Sequence, residues 1–302
     1  MTSAFVVLRA GAGLLGFLAV VFLGLLGPSV ASGIVFGVDS SEDAKDASPG
    51  DGICATSAGV CTLRAAIQET NALPGEDAIE VPAGNYLLTI PGSDEDRACT
   101  GDLDISDDLT LTGAGLGETI IDAAGLDRVL DVPWPDGGRT FLRVELAGVT
   151  VRGGEAEWGG GISADSAELS IYESAGEDNH GSGIDAFDVS LLVSGSVLQG
   201  NSSDYSGGGI YADFFNDILI EDSTIRGNHS ALGGGGVATG LSDVTIRDSA
   251  VTENSGRFTG GVSIGDTGSF LVERTTISNN SSQEGAGGFG LFEAAGRISS
   301  ST

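Results

Sequence analysis

The 302-residue chain is strongly acidic, with 43 Asp and Glu residues against 13 Lys and Arg, and it holds 50 glycines but only 6% aromatic residues. Such a surface repels nucleic acid and anionic lipid, which leaves cations, basic proteins and neutral glycans as the favoured partners. The many glycines and few large side chains argue against a wide globular core. They favour a fold that buries small aliphatic residues in many thin layers.

The first 31 residues have the pattern of a secretory signal peptide. Arg9 supplies a positive charge, an apolar run covers 10–27, and Ser29-Val30-Ala31 is a small-x-small cleavage site. An uncleaved membrane anchor is the alternative, although the run is short for a full span. We expect an exported protein, secreted or held at the cell surface (for instance at an outer membrane), with no membrane span after cleavage.

Residues 32–76 form an N-terminal segment with two of the three cysteines. In an oxidising compartment Cys54 and Cys61 are the local disulfide pair, although Cys99 could pair with either and leave an odd thiol. A zinc site is not expected, because no His or Cys neighbours stand at ligand spacing.

The same segment contains the one convincing helix of the chain. Thr62 is a suitable N-cap, and Leu63, Ala66, Ile67 and Thr70 would then share one face. Asn71 and the pair Pro74-Gly75 end the pattern. Because a solenoid exposes an apolar end that must be covered, we expect this helix to cap the first coil with its apolar face.

A period of about 26 residues runs through the remainder of the chain. Glycine clusters followed by an apolar residue recur at 159–162, 181–184, 207–210, 234–237, 260–262 and 287–289. Asparagines recur in step with them, each three residues after an aliphatic residue: Asn201, Asn228, Asn254 and Asn280. Alternating apolar pairs precede them, which indicates about three short strands per coil. We therefore predict an all-β fold, a right-handed, single-stranded parallel β-helix over 77–302.

Before the regular array, short strands are predicted with looser spacing. They lie at 79–81, 86–90, 103–105, 109–111, 119–121, 129–132, 142–146 and 149–151, and 94–100 and 133–138 are predicted to be surface loops. At the other end, the last coil lacks a capping helix or a charged rung. We expect an incomplete array there, either a fragment or an end that a partner covers.

The asparagine row has a structural interpretation and a functional one. An Asn at a sharp bend tolerates left-handed backbone angles, and its amide can hydrogen-bond the Asn of the next coil. The alternative is a row of amides that binds sugar. We expect the structural ladder.

The N-terminal segment resembles a known family. Cys61-Thr62-Leu63-Arg64-Ala65-Ala66-Ile67 is similar to the Cys-Ser-Leu-Arg-Glu-Ala-Ile motif of the CSLREA domain found in bacterial exported proteins, and the following coils look like that family's pectin-lyase-like β-helix repeats. The resemblance implies export and surface display but no reaction. Ala65 replaces the motif's Glu, which would complete a capping box with Thr62.

Two charged rows follow from the repeat. One position holds Asp222, Asp248 and Arg274, and the position before it holds Glu221, Arg247 and Glu273. Polysaccharide lyases of this fold use aspartates on adjacent coils to hold calcium, which makes Asp222 and Asp248 a candidate Ca²⁺ pair with Arg274 or Arg247 as base. The other interpretation is a pair of charge ladders that fix the register between coils.

The expected function is display, adhesion or structural coverage at the cell surface, with glycans or proteins as partners, no required cofactor and no evident catalysis. The alternative is a calcium-dependent polysaccharide lyase or glycoside hydrolase. His180 and His229 are expected to be solvent-facing turn residues, and the glycine runs lack the following helix and Lys of a phosphate-binding loop.

Overall fold

The structure is a computed structural model that describes residues 33–93, 95–134, 141–214, 216–265 and 268–302, so the predicted signal peptide lies outside it. None of the helices in those ranges has the length and apolar character of a membrane span. The predicted parallel β-helix is confirmed: the strands stack coil on coil into three long sheets, and every strand pair is parallel.

The first sheet, sheet A, contains ten strands. They are β1 (Val35–Gly37), β2 (Asp77–Glu80), β5 (Leu109–Thr112), β8 (Leu142–Ala147), β11 (Ala167–Tyr172), β14 (Ser190–Ser194), β18 (Asp217–Glu221), β22 (Asp243–Arg247), β26 (Ser269–Glu273) and β30 (Ala295–Ser299).

Two further sheets contain eight strands each. Sheet B comprises β4 (Leu103–Asp104), β7 (Leu130–Val132), β10 (Ile162–Asp165), β13 (Ile184–Phe187), β17 (Ile210–Asp213), β21 (Val237–Gly240), β25 (Val262–Gly265) and β29 (Phe289–Leu291). Sheet C comprises β3 (Gly84–Leu87), β6 (Thr119–Asp122), β9 (Thr150–Arg152), β12 (Ala175–Glu177), β15 (Val197–Gln199), β19 (Thr224–Arg226), β23 (Ala250–Thr252) and β27 (Thr276–Ser278).

A fourth sheet was not predicted from the sequence. Sheet D has four two-residue strands, β16 (Ser202–Ser203), β20 (His229–Ser230), β24 (Ser255–Gly256) and β28 (Ser281–Ser282). The period-2 apolar signal cannot find strands this short, because they consist mostly of serine. In sheets A to C the inward side of the strands is mostly aliphatic. In sheet A, for example, one column holds Leu191, Ile218 and Val244 and ends at Phe270, and these columns form one continuous buried core.

Sharp corners between the sheets use left-handed backbone angles. From Gly148 onward, one such residue per coil lies at the corner that follows sheet A, including Asp222 with φ 49° and Asp248 with φ 52°. A second set lies just before the ladder asparagines, for example Glu253 with φ 60° ahead of Asn254. The prediction that the ladder asparagines themselves adopt left-handed angles is therefore wrong. The left-handed residue is the one before each of them.

The predicted asparagines lie inside the solenoid, where they bond from coil to coil. Nδ2 of Asn201 donates to Oδ1 of Asn228 at 3.0 Å, and the same oxygen accepts the backbone N–H of Asn201 at 2.9 Å. Asn228 and Asn254 repeat this pattern toward Asn254 and Asn280. The row starts one coil earlier than the sequence indicated, because Asn179 donates to Oδ1 of Asn201.

A second buried ladder consists of hydroxyls at the corner between sheets A and C. The Ser223 hydroxyl donates to the Glu221 carbonyl at 2.7 Å and accepts the backbone N–H of Ser196 at 3.1 Å. The same arrangement recurs in other coils at Ser174, Ser196, Ser249 and Ser301. The Thr275 hydroxyl likewise donates to the Glu273 carbonyl. These hydroxyls satisfy the buried corner amides, which would otherwise destabilise every coil.

The N-terminal segment contributes a strand to the solenoid as well as the predicted capping helix. The helix α1 (Leu63–Ala72) begins at Thr62, whose hydroxyl accepts the Ala65 N–H at 3.2 Å. Strand β1 pairs with β2 and so supplies the first strand of sheet A. The Cys54 and Cys61 sulfurs form a disulfide, and Cys99 is a free thiol.

Helix α1 is buried on every side from Leu63 to Thr70, rather than on the one apolar face that we expected. Its polar side chains bind the surrounding chain: Oε1 of Gln68 accepts the Asp46 N–H at 2.8 Å, and the Glu69 carboxylate accepts the N–H groups of Gly50 and Gly52. The loop at 95–101 covers another side of the helix, so the surface loop predicted at 94–100 is partly internal, with Ala98 completely buried. Most of the other predicted loop, 133–138, lies outside the described residues.

Candidate functional site

The outward side of sheet B carries an unusual concentration of carboxylates. In one register position, successive coils hold Asp104, Asp131, Ser163, Asp185, Tyr211, Ala238, Ser263 and Gly290. Asp165 and Asp213 lie two residues further along their strands, separated by Phe187 of the coil between them. We call these outward residues from Asp104 to Asp213 the acidic face.

Burial perturbs the acidic face strongly. It raises the pKa of Asp185 to about 7, and the charges of Asp165 and Asp213 add to the rise while Arg128 opposes it. The Oδ2 atom of Asp185 is buried without a hydrogen-bond partner among the described residues. Burial likewise raises the pKa of Asp165. Asp185 is therefore a carboxyl group that keeps its proton at much higher pH than an exposed aspartate.

Burial has the same effect on the carboxyl groups of the first coils. Burial raises the pKa of Asp102 to about 8 and that of Asp104 to about 7. The carboxylates of Asp104, Asp127 and Asp131 raise the pKa of Asp102 further, and only Arg128 acts against them. Clustered carboxylates with shifted pKa values are common at functional sites, although structural clusters also show them.

Exposed aromatic rings flank the acidic face. The Trp158 and Tyr205 rings stack with centroids 4.2 Å apart and planes at 16°, and Trp158 also contacts Tyr211 at 5.7 Å. Trp158 and Tyr205 keep 38% and 37% of their surface exposed. We call these three rings the aromatic platform.

Tyr211 joins the platform to the carboxylates. It is the register partner of Asp185, and its hydroxyl donates to Oδ2 of Asp213 at 3.3 Å. A second aromatic pair, Phe187 and Phe214, lies at the other edge of these strands with centroids 4.8 Å apart. Beyond Tyr211, a depression of about 310 Å³ continues along sheet B to Phe292. Acid groups and exposed rings thus form one continuous surface, which the sequence did not reveal because its parts come from five coils.

The predicted calcium pair lies elsewhere, at the exposed corner between sheets A and C. Arg274 donates from Nε and Nη2 to the two carboxylate oxygens of Asp248, both at 2.6 Å. The structure does not bring Asp222 into this ion pair. In the neighbouring row, Arg247 contacts Glu221 through Nε and Nη2. The geometry agrees with charge ladders, because the guanidinium of Arg274 already occupies the carboxylate that a Ca²⁺ ion would need.

The two histidines lie on the outside of the solenoid in a row with serines. Nδ1 of His180 is 3.0 Å from the Ser202 hydroxyl, and Nδ1 of His229 is 3.0 Å from that of Ser255. Neither contact brings the imidazole to the acidic face. A proton-transfer role for them has no support in these contacts.

A long, shallow groove of about 720 Å³ follows the outward side of sheet A across five coils. Leu192, Leu219 and Leu271 line its centre with Thr245, in one register column. Carboxylates of Glu168, Asp217 and Asp243 line one side. Among its described lining residues this groove has no stacked ring pair, and the pKa of its Asp243 is lowered by hydrogen bonds from Ser269, whereas the shifted carboxyls of sheet B have raised pKa values.

Comparison with known proteins places the fold. Residues 148–301, about half of the chain, match the family model described as the right handed beta helix region. No curated protein matches the sequence. Among solved structures, the A-module of mannuronan C-5 epimerase AlgE6 from Azotobacter vinelandii is similar at 13% identity over 88% of this chain and 99% of that module, with a TM-score of 0.28. The chain belongs to the right-handed β-helix region family.

Proposed function

We propose that the chain is an exported, surface-displayed β-helix protein that binds neutral glycans on sheet B, at the aromatic platform and the adjoining Asp185 and Asp213, without catalysis. The observation that carries the proposal is the half-exposed stack of Trp158 and Tyr205, continuous through Tyr211 with partly buried carboxyls. Flat aromatic surfaces with a few fixed polar groups are typical of small-ligand sites. Carboxylates can accept hydrogen bonds from sugar hydroxyls.

The negative charge of the protein should favour binding of neutral glycans over acidic ones. With a formal net charge of −30, the protein repels uronic-acid polymers, whereas a neutral glycan brings no charge of its own. We therefore expect neutral glycans to bind better than acidic ones, and salt to affect the two differently. Weak binding of an acidic polymer should strengthen as salt screens the repulsion, while binding of a neutral one should change little.

Export rests on separate observations. Residues 1–31 carry the signal-peptide pattern, the Cys54–Cys61 disulfide suits an oxidising compartment, and the segment resembling the CSLREA domain is typical of exported proteins. Mass analysis of the mature protein from the surface or medium of a producing cell tests this part. Loss of residues 1–31 supports it, and an intact N-terminus inside the cell contradicts it.

Binding is tested with soluble neutral and acidic polysaccharides in a Trp134→Phe background, which leaves Trp158 as the one tryptophan. A neutral glycan should change the Trp158 fluorescence, and Tyr205→Ala should weaken its binding at least about tenfold, as expected for loss of a stacking ring. The control is Phe141→Ala, because Phe141 is an exposed aromatic outside the platform. Equal loss in both variants, or no binding of any neutral glycan, would refute the proposal.

A glycoside hydrolase is the second candidate, and it is favoured by the raised pKa of Asp185, which suits a general acid. The two functions separate in one experiment. A panel of glycans, with and without Ca²⁺, is read for new reducing ends and for unsaturated ends. Release of ends by the wild type and its loss in Asp185→Asn, with binding retained, would establish hydrolysis; binding without any cleavage supports the lectin-like role.

A further inference from the structure

The loop at 95–101 folds over the first two strands of sheet B and adds a third carboxylate to two that are already buried there. Asp96 comes from the loop, Asp104 from β4 and Asp131 from β7. One carboxylate oxygen from each residue lies within 4.8 Å of those of the other two. Three oxygens from separate segments thus converge on one point.

The hydrogen bonds of the fold do not account for both carboxylate oxygens of Asp104. Its side chain is 0% exposed, and its Oδ2 accepts the Ala98 N–H from the covering loop. Its Oδ1 is buried and has no hydrogen-bond partner among the described residues. A buried carboxylate oxygen without a donor is costly, so a cation is a suitable ligand for this position.

The nearby positive charge of Arg128 does not neutralise the three carboxylates of the cluster. Nη1 of Arg128 donates to Oδ1 of Asp131 at 2.7 Å, and its Nε lies 3.3 Å from Oδ2 of Asp102. Arg128 therefore serves Asp131 and Asp102, and the described structure pairs it with neither Asp96 nor Asp104. Repulsion between the remaining carboxylates would push the loop away from the sheet unless a further positive charge holds them.

We propose that Asp96, Asp104 and Asp131 form a Ca²⁺ site that fastens the loop at 95–101 to sheet B. Calcium prefers carboxylate and carbonyl oxygens at about 2.3–2.6 Å, so its ligands can lie up to about 5 Å apart, whereas the shorter bonds of Mg²⁺ allow only about 4 Å. The three oxygens lie within 4.8 Å of one another, a separation that a Ca²⁺ ion can bridge. This site is distinct from the Asp248–Arg274 ion pair and does not depend on glycan binding.

The test is calcium titration of the folded protein after exhaustive dialysis against a chelator. Calorimetry should show one Ca²⁺ bound with much higher affinity than Mg²⁺, and saturating Ca²⁺ should raise the Tm by about 5 °C. A constant background of NaCl suppresses diffuse binding to the acidic surface. Absence of a saturable calcium event, or equal binding of Mg²⁺, would overturn the proposal.

Two variants locate the site. Asp96→Asn changes an exposed residue, so the protein should fold normally but bind Ca²⁺ at least about tenfold more weakly. Asp104→Asn keeps an oxygen for the Ala98 N–H and removes a buried charge, so without calcium its Tm should equal or exceed that of the wild type, and calcium should no longer raise it. The control, Asp217→Asn, removes an exposed carboxylate from β18 of sheet A, outside the cluster. If Asp96→Asn keeps wild-type affinity, the site is not at this cluster.

Discussion

Arg64 offers the sharpest test of how the N-terminal segment is joined to the solenoid. Its guanidinium is completely buried, and Nε donates to Oδ1 of Asp43 at 2.6 Å. Its other nitrogens donate to the carbonyls of Ala98, Gly101 and Asp102 at 2.8–3.1 Å. One side chain therefore connects the helix, the segment before it and the covering loop.

Arg64→Ala should be severely destabilising. Removing one partner of a buried ion pair costs about 3–5 kcal/mol, and each newly orphaned carbonyl adds about 1 kcal/mol or more. The sum, at least about 5 kcal/mol, is comparable with the total stability of many proteins. We expect the variant to unfold at much lower urea concentration, or to lose the N-terminal segment first, which limited proteolysis would detect.

Arg143→Ala is the matched control for Arg64→Ala. Its guanidinium also forms an ion pair, with Glu168 at 3.0 Å, but its side chain is 63% exposed. Such pairs contribute about 0–1 kcal/mol. A loss in Arg64→Ala no larger than in Arg143→Ala would refute the view that Arg64 anchors the segment.

Two further predictions concern the solenoid itself. Asn254→Ala removes both bonds that its Oδ1 accepts from Asn228, so the Tm should fall by about 5 °C or more, and an unchanged transition would contradict an internal ladder. Asp185→Asn should change the pH dependence of stability. Because the folded pKa of Asp185 is raised to about 7 by burial and by Asp165 and Asp213, against Arg128, wild-type stability should fall as the pH rises from about 4 to 7, by at most about 4 kcal/mol. The Asn variant should lack that fall in urea unfolding at both ends of this range, and equal pH profiles would contradict it.

The repeat made the apolar core predictable, and the features that the repeat did not reveal were missed for a physical reason. The regular coils repeat an aliphatic residue three positions before their Asn, so the asparagine row could be found from Asn201 onward. Asn179 of the preceding coil was missed because Gly176 replaces the aliphatic residue three positions before it. A Cβ at Gly176 would lie 2.8 Å from Leu198 Cδ2, so the large neighbour fills the space. The replacement of an aliphatic residue by Gly176 therefore depends on packing between coils, which a single sequence does not show.

Partners far apart in sequence could not be predicted from a periodic pattern. Arg64 binds carbonyls 34–38 residues away, and they come from a loop that interrupts the repeat. The helix was found from its cap and its apolar spacing, but its burial on all sides depends on that loop and on Asp43. For the same reason the carboxylates of Asp96 and Asp131 could not be placed together before the fold was known.

Repetition itself distinguishes structural rows from the candidate site. A row that stabilises every coil needs the same chemistry in each, and the buried Asn and hydroxyl ladders have it. The row that contains Asp222 and Asp248 was found in the sequence because it is also regular. It lies at the corner between sheets A and C, a structural position that recurs from coil to coil. The outward column of sheet B instead changes from Asp to Ser to Asp to Tyr within four coils. A ligand bound at one place needs such differences, so departures from the repeat are the better guide to a binding site in this solenoid.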